Sequence, residues 1–194
     1  MDVSSKQATA TVLFTRIRDY ARIVNILDLN ETYEFLADYA EVVISAAAKY
    51  RGALANVTGD ELRIMFADPG VTVDSPRHAV FCALNIQNTA DSISVRWRHA
   101  LDFLVEIDIG ISTGQVFVGN VTRGVKKMYT LIGKNVVLAK QLAELSAEYN
   151  TNILIDVDTL EGAKDYFSFR KVGDHLLLGF TDRIELYTPV VSAK

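Results

Sequence analysis

The chain has 194 residues, 49% of them hydrophobic and 23% charged, with a net charge of -4 and a pI near 5.4. That size suits one domain burying roughly 70% of the surface its unfolded chain would expose, and the composition excludes a disordered, fibrous or low-complexity polypeptide. The acidic balance argues against nucleic acid or an anionic membrane as a primary partner, because both need clustered cations.

In chain order, Thr11-Val-Leu-Phe-Thr-Arg-Ile-Arg18 reads as a buried strand handing over to a helix. A short helix is expected from Asp19 to about Leu27, and Asn30-Glu31 then cap a longer one. In that longer helix Leu36, Tyr39, Ala40, Val43, Ala46 and Ala47 recur on one face, and it ends near Arg51-Gly52, where glycine takes the left-handed cap. Gly59-Asp60 forms the tight turn of a hairpin between Asn56-Val-Thr58 and Leu62-Arg-Ile-Met-Phe66. After a loop at Asp68-Pro69-Gly70, a helix over Pro76 to Arg98 carries Val80, Leu84, Ile86 and Ile93. Strands over Val105 to Ser112 and Gln115 to Val121 join at Thr113-Gly114, and Met128 to Leu131 is a further strand. Asn135 to Ala147 reads as a helix, and Asn152 to Asp156, Tyr166 to Val172 and Ile184 to Tyr187 read as strands.

The order strand, two helices, two strands, helix, strand predicts an α+β, ferredoxin-like sandwich: one mixed sheet with helices on one face. One domain spans the chain, with a core over about 10–132 and a small C-terminal α/β subdomain over about 133–190. Cys82, inside the apolar stretch Ala79 to Leu84, has no partner for a disulfide and reads as a packed thiol, which fits a reducing, cytoplasmic compartment. No window reaches the ~20 apolar residues that span a bilayer. The residues flanking Ala10 and Pro189 are too few for a sensor or effector, so input and output are expected through partners or a longer parent chain. Arg96-Trp-Arg98-His99 and Lys126-Lys127 read as solvated surface, and His78, His99 and His175 have no metal-ligand or triad spacing. Gly110, Gly114 and Gly119 lie among strands, which assigns them turn and close-packing roles and not a phosphate loop.

Four segments, Thr11 to Arg18, Asn56 to Phe66, Gly110 to Gly119 and Tyr129 to Ala139, resemble the class III adenylate/guanylate cyclase catalytic domain, and the resemblance runs from about Ala10 to about Val190. It implies head-to-tail dimers with sites at the interface. One chain brings two Asp that hold two metal ions, and the other a base-reading pair, a ribose-positioning Asn and a transition-state Arg. The metals lower the hydroxyl pKa and stabilise entering and leaving oxygens, while the Arg neutralises phosphoryl charge.

Against that pattern Asp60 matches the second metal-binding Asp, but Arg16 stands in place of the first. A guanidinium is permanently cationic and cannot coordinate Mg²⁺, and Arg16 is expected to pair directly with Asp60; the sharper alternative is that Arg16 binds phosphate in the metal's stead. Asp19 puts a negative charge where the family usually has Gly beside the triphosphate, and as a helix N-cap it is structurally sensible. Asn56 replaces the base-reading Lys, Thr130 is a remnant of its partner, Val137 replaces the Asn and Gln141 the Arg. Lys140, one position from Gln141 on a helix, is turned about 100° from it, and neither Lys140 nor Lys134 is expected to point into the same pocket.

The resemblance with these substitutions gives a catalytically degenerate cyclase homology domain, a cytoplasmic signalling and dimerisation module. Partners are a second copy, or another cyclase-fold or signalling protein. No cofactor is expected, or Mg²⁺ or Mn²⁺ if activity remains. Two alternatives stay open: a weak or atypical nucleotidyl cyclase converting ATP or GTP through Asp60, and a nucleotide receptor without turnover. The Gly-Gly-acidic hairpin by which diguanylate cyclases resemble one another is absent; Thr58-Gly-Asp-Glu61 stands there.

Overall fold

The computed structural model describes the backbone of residues 6–67, 74–123 and 126–190 and the side chains of residues 7–67, 74–119 and 131–190. The loop expected at Asp68-Pro69-Gly70 and the side chains of Lys126 and Lys127 lie outside them. The strands are β1 (Lys6–Ile17), β2 (Ala53–Thr58), β3 (Glu61–Phe66), β4 (Ile107–Arg123), β5 (Lys126–Ile132), β6 (Ile153–Ile155), β7 (Phe169–His175) and β8 (Ile184–Pro189). The helices are α1 (Tyr20–Ile26), α2 (Leu29–Lys49), α3 (Ser75–Trp97), α4 (Lys134–Leu145) and α5 (Val157–Ala163).

β1 is apolar on both sides because both of its faces are covered. Leu13 and Ile17 join a cluster with Phe35 and Tyr39 of α2 and Ile86 of α3, while Ala10, Val12 and Phe14 join another with Val136, Ala139 and Ala143 of α4. Side chains of a strand alternate between faces, so these memberships place α2 and α3 on one side of the sheet and α4 on the other. The sandwich helices α2 and α3 share one face, as expected, and α4, from the segment beyond the sandwich, covers the other.

The described strands form one mixed eight-stranded sheet in the order β2-β3-β1-β4-β6-β8-β7, with β5 also paired to β4. β4 is a single strand. The turn expected at Thr113-Gly114 is absent, and Gly114 is an ordinary rung opposite Ala10 in a register running unbroken from Lys6 opposite Val118 to Ile17 opposite Ile107. The glycine that packing demands is Gly110, where a Cβ would lie 1.9 Å from the Ala139 carbonyl oxygen of α4. β6 adds in parallel to β4, which carries the C-terminal segment into the same sheet.

Two caps differ from expectation. Asp28, not Asn30, begins α2, in a reciprocal box with Glu31: the Glu31 backbone N–H donates to Asp28 Oδ1 and the Asp28 backbone N–H to Glu31 Oε2, both at 2.9 Å. Beyond α2 the left-handed residue is Arg51, with φ 62, and not Gly52. Gly52 is required instead for room, since a Cβ there would fall 2.6 Å from Ile64. Asp19 does sit at the start of α1, but with φ 54 and no capping hydrogen bond from its side chain. Cys82 is buried, and burial pushes its thiol up to about 12, the behaviour of a packed side chain.

Asp156, 3% exposed, caps α5 by accepting the Thr159 N–H at 2.9 Å, and Ser112 Oγ donates to its other oxygen at 2.5 Å. Burial outweighs these donors and raises its carboxyl to about 6. An unfolded Asp titrates near ~3.9, so ionisation costs more in the fold than in the open chain, by about 3 kcal/mol for two pKa units. The contribution is complete below about pH 4 and is lost as pH rises through about 6. Asp156→Asn retains the cap acceptor and is expected to abolish this decline in urea midpoints measured across the window. A decline of equal size in the variant would show that another group causes it.

Candidate functional site

The hairpin turn places Gly59 at φ 59 and Asp60 just before β3 begins. Antiparallel pairing of β3 with β1 runs from Phe66 opposite Thr11 to Leu62 opposite Thr15, which delivers the turn to the end of β1. There the main chain at Asp60, the main chain at Ile17 and the charge of Arg16 each favour the ionised Asp60 carboxylate. Burial is the largest influence and exceeds these three, so the carboxyl is held above the usual carboxylate range. The strand end and hairpin tip therefore meet.

The direct Arg16–Asp60 contact differs from expectation: no ion pair joins them among the described residues, and Arg16 acts on Asp60 through space. Arg16 lies opposite Asp108 of β4, yet other donors converge on one oxygen of that carboxylate. Arg18 Nε donates to Asp108 Oδ1 at 2.9 Å, its Nη2 also reaches that oxygen, and Ser146 Oγ donates to it at 2.9 Å. Arg18 further bonds Glu106 at 2.9 Å, the Thr151 carbonyl at 3.1 Å and Asn152 Oδ1 at 3.0 Å. The remaining acid at the tip, Glu61, takes Lys140 Nζ at 2.7 and 2.9 Å.

Lys140 reaches Glu61 from α4 across the exposed part of the sheet, with Nζ 5.4 Å from the centre of the Phe14 ring. Arg63 flanks the same ring, its Cζ 5.9 Å from the centre, and its buried Nε finds no acceptor. Lys134 sits instead 5.0 Å from the Phe180 ring, so the two lysines diverge as their spacing on α4 requires.

The other positions are spread along this side of the molecule. Asn56 is exposed on β2 opposite Arg63, and its Nδ2 donates to Thr58 Oγ1 at 3.1 Å. Val137 is exposed on α4 and, with Arg63, Ile132 and Lys134, lines an open cavity of about 520 Å³. Gln141 Nε2 donates to the Leu178 carbonyl at 2.9 Å, and its Oε1 is buried without a donor. Thr130 pairs with Gly119 through the β4–β5 ladder, and its side chain lies outside the described residues. Among the described residues no three His, Cys, Asp or Glu side chains converge as a metal-holding group, and no helix is long and apolar enough to cross a membrane.

The profile of the Adenylate and Guanylate cyclase catalytic domain matches residues 3–188. The chain belongs to that family. Adenylate cyclase 1 of Rhizobium meliloti strain 1021 is 25% identical over 180 residues, covering 93% of this chain. The chain spans only 27% of that relative's length. Among solved structures it is similar to the adenylyl cyclase CyaB from P. aeruginosa, with TM-score 0.91, 27% identity and 98% of each chain covered. The guanylyl cyclase Cya2 shares the fold at TM-score 0.83 and 23% identity, over 95% of this chain and 93% of that one.

Sequence reasoning assigned no role to Arg18 or Arg63 and set Lys140 aside, although Lys140 reaches the tip at Glu61; strand parity, which puts Arg16, Arg18 and Phe14 on one face of β1, was the available signal. Arg18 is the most consequential, because its side chain is 19% exposed and the carboxylate it covers 3%. Arg18→Met leaves Asp108 buried without its cation and is expected to cost about 3–5 kcal/mol in urea unfolding. Pairing the change with Asp108→Leu is expected to restore most of that loss. A double variant no more stable than Arg18→Met would show that the ion pair is not what Arg18 supplies.

Proposed function

We propose that this domain is a non-catalytic member of the cyclase family, acting as a signalling and dimerisation module. One observation carries the reading: beside Asp60, at the tip where the family resemblance calls for a second carboxylate, stands the Arg16 guanidinium. Two Mg²⁺ ions need several hard oxygen ligands, whereas here Asp60 is shadowed by a fixed positive charge, Glu61 is tied to Lys140 and Asp108 to Arg18. That donor set does not fit a metal pair.

The opposite half of the site supports the same reading. Val137 presents a hydrocarbon where a ribose would need a hydrogen bond, and Gln141 is uncharged and tied to Leu178. Losing one such electrostatic contact typically costs about 10²- to 10³-fold in rate, and losses within one site do not simply multiply. A partner chain repairs neither half, since this chain brings neither both Asp nor the Lys, Asn and Arg set.

Binding is what remains. Phe117 and Ile132 are exposed and face each other across the β4–β5 ladder, with exposed Val137 nearby on α4. An apolar group at that place fits a second copy of the chain or another cyclase-fold protein. Purified protein incubated with ATP or GTP and Mn²⁺ is expected to yield no cyclic nucleotide, and to sediment as a dimer at micromolar concentration. A cyclic product that disappears in Asp60→Ala would overturn the non-catalytic reading; a monomer throughout would overturn self-association.

A further inference from the structure

Four cations, Arg16, Arg18, Arg63 and Lys140, stand with four acids, Asp60, Glu61, Glu106 and Asp108, around the hairpin tip, but they are unequally partnered. Glu61 is paired with Lys140, Asp108 with Arg18 and Ser146, and Glu106 with Arg18, while Asp60 feels Arg16 only through space. Arg16 and Arg63 are left over: among the described residues neither forms an ion pair or a side-chain hydrogen bond, and the Arg63 Nε–H is buried without an acceptor. They occupy one face of adjacent strands. Arg63 lies opposite Phe14, so Arg16 is its diagonal neighbour, about 7–8 Å away at the backbone. Like charges at that spacing repel, and a buried donor without a partner costs more than one left in water.

We propose that Arg16 and Arg63 bind a chain of phosphoryl groups without any divalent metal. This rests on the reading of the tip as unable to hold a metal pair. A single carboxylate meets the fork of one guanidinium, whereas a di- or triphosphate offers a separate set of oxygens to each. Lys140, over the same Phe14 ring, adds positive potential while remaining bonded to Glu61. The phosphate chain belongs either to inorganic polyphosphate or to a nucleotide whose base enters the cavity between Arg63 and Val137. The metal dependence is then reversed. In a two-metal site Mg²⁺ brings the phosphates in, but here Mg²⁺ occupies the oxygens that the guanidiniums need and opposes binding.

Calorimetric titration with sodium tripolyphosphate, ATP and GTP, first in EDTA and then with Mg²⁺, tests this. Binding is expected in EDTA and is expected to weaken on adding Mg²⁺. Arg16→Gln and Arg63→Gln are each expected to weaken it about 10- to 100-fold, as loss of a charged hydrogen-bond donor does. Arg170→Gln, exposed on β7 at the far edge of the sheet, is expected to change nothing and controls for general charge. Equal affinity for all three probes identifies the phosphate chain itself as the ligand, and tighter binding of ATP or GTP identifies a nucleotide; either outcome supports the proposal. No binding in EDTA, binding that requires Mg²⁺, or equal loss in Arg170→Gln overturns it. No binding together with no turnover removes this inference and leaves the non-catalytic reading intact, whereas an Asp60-dependent cyclic product removes the reading itself.

Discussion

A carboxylate taken out of water must be paired, and Asp108, at 2% exposure, is the acid most deeply placed near the start of β4. Arg18 meets it and in the same reach bonds the Thr151 carbonyl and Asn152 just before β6, so one guanidinium joins the end of β1, the start of β4 and the C-terminal segment. An uncompensated charge there would cost several kcal/mol, comparable with the whole stability of many domains. The register of β1 on β4 is therefore held by charge at one end as well as by the apolar faces of Val12, Leu13 and Phe14.

That pairing also settles what Arg16 does. Arg16 is directly across from Asp108, but Arg18 and Ser146 have already claimed its oxygen. The same pattern recurs at Glu61, held by Lys140, while Asp60 feels Arg16 without an ion pair. The result is a tip where Arg16 and Arg63 stand outside the ion pairs, on a protein whose net charge is -4. Global charge and local potential are separate quantities, because fields from exposed acids elsewhere are screened over about 8–10 Å while those inside a half-buried cleft are not.

Much of the fold could be read from pattern. Tyr39, Val43 and Ala46 of α2 and Val80, Ile86 and Ile93 of α3 recur at helical spacing, and all are buried. The misreadings were local. Thr113-Gly114 has the composition of a turn, but twelve residues of β1 pair across that stretch of β4 and override it. α5 spans seven residues, too few for a periodic signal, and is fixed by the Asp156 cap and by packing. Arg51 takes the left-handed position that glycine would prefer, because Gly52 is needed where Ile64 and Phe66 crowd its α-carbon.

Residue identity alone decided that position 16 carries a guanidinium, 137 a hydrocarbon and 141 an amide, and those facts hold in any conformation because they are covalent. Which acid each cation meets was decided only by the tertiary structure. Arg18 finds Asp108 across 90 residues and Lys140 finds Glu61 across 79, separations over which sequence carries no pairing rule. Coulomb attraction depends on distance in space, and the sheet sets that distance: β1 placed between β3 and β4 brings three acids around Arg16, and Arg18 and Lys140 take two of them, Asp108 and Glu61.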